Sequence, residues 1–167
     1  MELYLVRHAV AHPRDAQRWP DDGRRPLTPA GEDRFRQAAR GLRRIVPTVE
    51  LVLASPFDRA WRTAELLHEE AGWPKPERCE AIEADRSPTE GIEALRSHLD
   101  AGSVALVGHE PNLSELTSIL LTGNATRLSM DFKKGGVAHL QLDDNLRRGS
   151  ASLRWFVSPK VLRSLAK

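Results

Sequence analysis

The stretch Ser103-Val104-Ala105-Leu106-Val107-Gly108-His109-Glu110-Pro111, continuing through Asn112 to Leu121, decides the fold. Ser103–Val107 is a short apolar run of the kind that makes a core strand, and a helix follows from about Pro111 to Leu121. Towards the N-terminus the same alternation recurs. Leu51–Ala54 reads as a strand ending at Ser55-Pro56, followed by a helix carrying Ala60, Trp61, Ala64 and Leu67 and closed by Gly72. Glu2–Val6 is another apolar strand, followed by a polar, arginine- and proline-rich stretch from Ala11 to Pro26. Thr28-Pro29 then opens a helix with an N-cap hydroxyl and a proline in its first turn. Its apolar residues Phe35, Ala38, Ala39, Leu42 and Ile45 keep helical spacing, and Pro47 stops it. Ser87-Pro88-Thr89-Glu90 has the spacing of a capping box before a helix bearing Ile92, Leu95 and Leu99. Beyond the deciding stretch, Val137–Leu142 and Ser152–Val157 read as a hairpin or adjacent antiparallel pair.

Strands alternating with helices predict an α/β fold: a three-layer sandwich with a mainly parallel central sheet flanked by helices. With 167 residues and no internal repeat, a single domain over 1–167 is expected. One cysteine, Cys79, excludes an intramolecular disulfide framework and reads as structural. No run approaches the roughly 20 apolar residues of a membrane span. The N-terminal order lacks the basic-then-apolar pattern of a secretion signal, so a soluble, cytoplasmic protein with no membrane partner is expected. Lys plus Arg number 25 against 23 acidic residues, an excess too small to call for nucleic acid. Arg34, Arg36, Arg40, Arg43 and Arg44 could form a basic helix face, but aromatic stacking partners are few and scattered.

In open α/β sheets, ligands bind beyond the carboxyl ends of the strands. The first strand runs into Arg7-His8, the second into Ser55-Pro56 and Arg59, and the third into Gly108-His109-Glu110-Pro111. Two arginines and two histidines converging there would make a positive pocket suited to a phosphoryl dianion. Arg59 is informative because a cation in the first turn of a helix opposes the helix dipole. The other histidines fit ordinary structural roles: His12 in the polar loop, His68 and His98 in helices, His139 in a strand. A zinc site from His8, His12 and His109 has no H-E-x-x-H or paired-cysteine spacing behind it, so no metal is expected. No Walker-type loop and no G-x-G-x-x-G turn is present, and no cofactor is expected.

These segments resemble a known family. Leu5-Val6-Arg7-His8-Ala9 is similar to the R-H-G signature of the histidine phosphatase superfamily, which includes phosphoglycerate mutases and acid phosphatases. Ser55-Pro56-Phe57-Asp58-Arg59-Ala60-Trp61-Arg62-Thr63-Ala64 resembles its S-P-x-x-R-A-x-x-T-A segment, and Val107-Gly108-His109-Glu110-Pro111 its second histidine motif. Arg25-Pro26-Leu27-Thr28-Pro29-Ala30-Gly31 resembles a segment of the short SixA-type branch, the phosphohistidine phosphatases. The likeness runs from residue 3 to about 121, with the motifs in the family's order. Ala9 departs from the family's glycine while keeping a small side chain.

The resemblance implies a phosphoglycerate mutase-like fold with a minimal cap. It makes His8 the nucleophile of a phosphohistidine intermediate, with Arg7, Arg59 and His109 around the phosphoryl oxygens. Mutase and phosphomonoesterase relatives add a carboxylate that protonates the leaving oxygen. Here the corresponding stretch offers Glu83 and Asp85 as candidates, neither in a convincing motif. Short connections after the strands and a weak case for an acid favour phosphohistidine on a phosphotransfer or signalling protein as substrate, because its leaving imidazole departs more readily than an alkoxide. The alternatives are a phosphomonoesterase acting on a small phosphate, and a non-catalytic phosphoprotein-binding module. A binder needs the arginines but not His8. No long exposed apolar stripe demands a dimer, so a monomer is expected.

Overall fold

Successive side chains along a strand point to opposite faces of its sheet, and in this computed structural model, which describes residues Met1–Lys167, both faces are buried. One six-stranded sheet has the order β3-β2-β4-β1-β5-β6. Its members are β1 (Glu2–Arg7), β2 (Leu51–Ala54), β3 (Glu77–Arg78), β4 (Ser103–Gly108), β5 (Val137–Gln141) and β6 (Ser152–Val157). β1 to β4 are mutually parallel, while β5 and β6 add an antiparallel edge beside β1. On one face Val6, Val52, Ala54 and Val107 pack under α1 (Pro29–Ile45), α2 (Asp58–Leu66) and α5 (Pro159–Leu165). On the other, Leu3, Leu5, Val104 and Leu106 pack under α3 (Pro88–Arg96) and α4 (Asn112–Thr122). The result is the three-layer α/β sandwich with a mainly parallel sheet that the alternation predicts. No helix is long and apolar enough to cross a membrane.

Local signals hold where the sequence carries them. Thr28 accepts from Gly31 N at the start of α1, and Ser87 and Glu90 form the expected capping box at α3. Three details differ. α3 ends at Arg96, so His98 falls in the following turn and Leu99 is exposed rather than on an apolar helix face. The two-residue β3 is too short to leave a pattern in the sequence. The reading by periodicity assigns no element after Val157, yet α5 forms there and packs closely on α1.

The α1–α5 contact depends on Gly41. A Cβ at that position would lie 1.8 Å from the carbonyl oxygen of Leu162. Helix propensity alone favours alanine over glycine by about 1 kcal/mol, but the clash is with backbone and cannot be relieved by a side-chain rotation. Gly41→Ala is therefore expected to lower stability by about 2–3 kcal/mol, measured by urea unfolding. A gain in stability would mean that α5 does not pack as described.

Candidate active site

Parallel register brings the strand ends to one edge. Arg7 pairs with Gly108 and Ala54 with Val107, so His8, Ser55 and His109 emerge side by side. His8 N donates to the Gly108 carbonyl at 3.0 Å, and Ser55 N to the Val107 carbonyl at 3.0 Å. Thr63, inside α2, locks the first loop to this edge: its Oγ1 accepts from Ala9 N at 3.0 Å and donates to the Arg59 carbonyl at 2.7 Å. A turn on the far side of β1 completes the wall. Gly135 N donates to the carbonyls of Arg7 and His8, and its φ of +80° is one that a residue with a side chain rarely adopts. That turn delivers Lys134.

The four side chains singled out in the sequence all line one cavity of about 310 Å³. The His8 and His109 rings lie 5.2 Å apart. His8 Nδ1 is 2.7 Å from the Ala9 carbonyl oxygen, which can only accept, so Nδ1 carries the proton and Nε2 keeps its lone pair. His109 Nε2 meets the buried Ser55 hydroxyl at 2.9 Å. Arg59 is 2% exposed; its Nη1 donates to the Asp22 carbonyl at 2.8 Å and its Nη2 lies 3.0 Å from the Asp22 carboxylate. Arg25 Nε donates to the same carboxylate at 2.8 Å. Arg7 Nη1 donates to the carbonyl of Phe132.

Electrostatics follow from this crowding. Burial first, then Arg59, Arg7 and Lys134, bring the His8 imidazole down to about 3. Burial, then His8 and Arg59, bring His109 down to about 2. Both rings are therefore neutral at physiological pH. The cavity wall holds five cationic side chains, Arg7, Arg14, Arg25, Arg59 and Lys134, against one carboxylate, Glu110. Arg7 Nε, Arg59 Nε and His109 Nδ1 are buried without a protein partner. Buried polar atoms left so are costly, and an oxyanion would supply an acceptor to the two guanidinium Nε–H groups. The site suits a phosphoryl group better than a cation.

The match to known proteins agrees with this geometry. Residues 3–94 match the family model for the histidine phosphatase superfamily (branch 1). The chain belongs to that superfamily. It is 32% identical over 160 residues to an uncharacterized protein of Picosynechococcus sp. (strain ATCC 27264 / PCC 7002 / PR-6), covering 92% of this chain and 89% of that one. It is 27% identical over 169 residues to the phosphohistidine phosphatase SixA of Escherichia coli (strain K12), covering 98% and 97% of the two chains. A solved structure of the protein histidine phosphatase SixA complexed with tungstate superposes with a TM-score of 0.83 at 26% identity, covering 97% of this chain and 99% of that one.

Within this histidine phosphatase the two candidate acids do not enter the cavity. Ala84 faces it; Glu83 lies 3.6 Å from Arg86, and Asp85 lines a neighbouring groove. The carboxylate that does line the wall is Glu110, which motif reading passed over. Burial pushes its carboxyl up, while its two oxygens accept from Ser114 N at 3.1 Å and Ser114 Oγ at 2.6 Å. Those bonds cap the first turn of α4. His12 also lines the cavity instead of sitting apart in the loop. Cys79 is half-buried and burial pushes its thiol up, away from the reactive thiolate, in keeping with a structural role. Asp22, Arg25 and Lys134 complete the site. Arg25 lies in a segment already quoted for its resemblance, whereas no pattern marks Asp22 or Lys134.

Proposed function

We propose that this superfamily phosphatase removes the phosphoryl group from phosphohistidine carried by a protein, through a phosphohistidine intermediate on His8. The observation that carries the reading is the pairing of a neutral, correctly tautomeric His8 with a cationic cavity whose lining carboxylate is already bonded at both oxygens. In the first step His8 Nε2 attacks phosphorus, the P–N bond of the substrate breaks, and the departing imidazole retains or takes up a proton. In the second, water attacks the phosphorylated His8, releasing phosphate and restoring the Nε2 lone pair. Arg7, Arg59 and His109 hold the oxygens on which charge accumulates.

Two features favour phosphohistidine over an alkyl phosphate. An imidazole leaves more easily than an alkoxide and needs a dedicated acid less. The connections after β2 and β4 are three residues each and add no cap; the long connection between β1 and α1 contributes the polar His12, Arg14 and Arg25 to the wall, which favours a side chain presented on a protein surface over an enclosed small metabolite. Near end-to-end similarity to SixA supports the same reading.

The test is phosphate release from a phosphohistidine-bearing carrier protein against release from a small aryl phosphate, with His8→Ala as the blank. A preference of about tenfold or more in kcat/KM for the phosphoprotein is expected. The reverse preference would overturn the substrate assignment in favour of a small-molecule phosphomonoesterase. Glu83→Gln and Asp85→Asn should each leave turnover of the phosphoprotein within about twofold, because neither carboxylate reaches the cavity. A loss of about 100-fold in either would make that residue the acid.

A further inference from the structure

Of the chain's five lysines, at 75, 133, 134, 160 and 167, three line a single groove of about 590 Å³. The groove adjoins the catalytic cavity, since Arg7 and Lys134 belong to both walls. Lys160 and Arg163 extend it along α5. Lys133 has a partner, Asp131 at 2.5 Å, but no ion pair joins Lys134, Lys160 or Arg163 to any carboxylate. A smaller cleft alongside shares Lys134 and Arg163 and adds Arg34, also without an ion pair.

Two cations close by in sequence on α1 are paired. Arg36 and Arg40, on the same helix as Arg34, pair with Glu70, and Arg36 also with Glu69, at 2.7–2.9 Å. Stability does not explain gathering Lys134, Lys160 and Arg163 in one groove. Clustered like charges repel, and Lys160 stands in the first turn of α5, where a cation is disfavoured. A second groove, which shares Arg14 and Ala84 with the catalytic cavity, has the other sign: Asp15 and Asp85 line it with Trp19 and Phe57. The catalytic cavity thus borders one basic and one acidic groove.

The geometry points to the basic groove as the seat of an acidic segment of the phosphorylated protein, with carboxylates to one side of the phosphohistidine lying on Lys160, Arg163 and Arg34. The inference rests on the phosphohistidine reading above. A polypeptide fits better than a nucleic acid, because no aromatic ring lines the groove to stack a base.

The experiment uses synthetic phosphohistidine peptides with a run of glutamates on one side, before or after the phosphohistidine, and the same peptides with lysines in place of glutamates. A small aryl phosphate serves as a third substrate. One of the glutamate peptides should exceed its lysine counterpart about tenfold in kcat/KM at low salt, and the ratio should fall as ionic strength rises. The Lys160→Glu/Arg163→Glu variant should bring the ratio to one or invert it, and the milder Lys160→Gln/Arg163→Gln variant should reduce it. A control with the same charge change at the far end of the sheet, Arg44→Glu/Arg148→Glu, should keep the wild-type ratio. Equal rates on glutamate and lysine peptides, or a ratio that survives in both groove variants, would overturn the docking inference alone. Release from the aryl phosphate with none from either peptide would overturn the phosphohistidine reading and the inference with it. Competition by single-stranded DNA stronger than by free polyglutamate would reassign the groove to nucleic acid.

Discussion

Replacing His8 by alanine is expected to lower phosphatase turnover by about 10⁴-fold or more while leaving the fold intact. Without the Nε2 lone pair the covalent route is closed, and water must attack phosphorus directly within the same cationic cavity. Arg7, Arg59 and Lys134 would still bind the phosphoryl group, so KM should change far less than kcat. The fold should survive because the His8 side chain makes one hydrogen bond, to the adjacent Ala9 carbonyl, and because a ring crowded by Arg7, Arg59 and Lys134 contributes little to stability. Two measurements check this. Phosphate release reports the loss of turnover, and rapid acid-free quench with labelled substrate should trap a base-stable phosphoenzyme in wild type but not in His8→Ala. Trapping of label in the variant would move the nucleophile to His109, 5.2 Å away.

Much of this was legible in the sequence because it is written locally. The apolar runs of β1, β2 and β4 and the caps of α1 and α3 are contiguous signals, and a parallel sheet must gather its strand ends at one edge. Arg7, His8, Arg59 and His109 therefore group together from the sequence alone. What escaped depends on tertiary closure. Lys134 reaches the cavity only because the Gly135 turn bonds back to the carbonyls of Arg7 and His8. Asp22 matters because a short 3₁₀ turn, Asp22–Arg24, lays its carboxylate across Arg59 and Arg25. In the loop that holds Glu83 and Asp85, Ala84 lines the cavity, while Asp85 lines a neighbouring groove and Glu83 lies beside Arg86. The carboxylate on the wall comes from beside His109, where the motif drew attention to the histidine alone. The arginine-rich face of α1 divides in a way composition cannot show, since Arg36 and Arg40 are ion-paired and Arg34 is not.

The second large effect is a dependence of stability on pH that the active site itself creates. In the unfolded chain both imidazoles titrate near the ordinary value of 6.5; folded, burial and neighbouring cations hold His8 at about 3 and His109 at about 2. Between those values the unfolded state binds more protons than the folded state, so stability rises with pH and is lost as pH falls. The loss begins near pH 6.5 and continues to about pH 3 for His8 and about pH 2 for His109. From pH 7 to pH 5 each ring should cost about 2 kcal/mol. The depressed carboxyl of Asp22, held down first by its bond to Arg25, and those of Glu69 and Glu70, held down by Arg62, Arg36 and Arg40, add to the loss only at lower pH, as unfolded carboxylates protonate. The raised carboxyl of Glu110 takes up protons on folding and partly offsets the loss, but it is common to wild type and histidine variants, so their difference in urea unfolding at pH 7, 6 and 5 isolates the two rings. The His8→Gln/His109→Gln variant should lose about 4 kcal/mol less than wild type over that interval, each single variant about half as much less. Saturating inorganic phosphate should raise stability at every pH by binding only the folded cavity. Parallel pH curves for wild type and the double variant would show that the two rings are solvated. The positive cavity would then lie open enough for water to hold a charged imidazole, and the neutral His8 on which nucleophilic attack depends would exist only above its ordinary titration point.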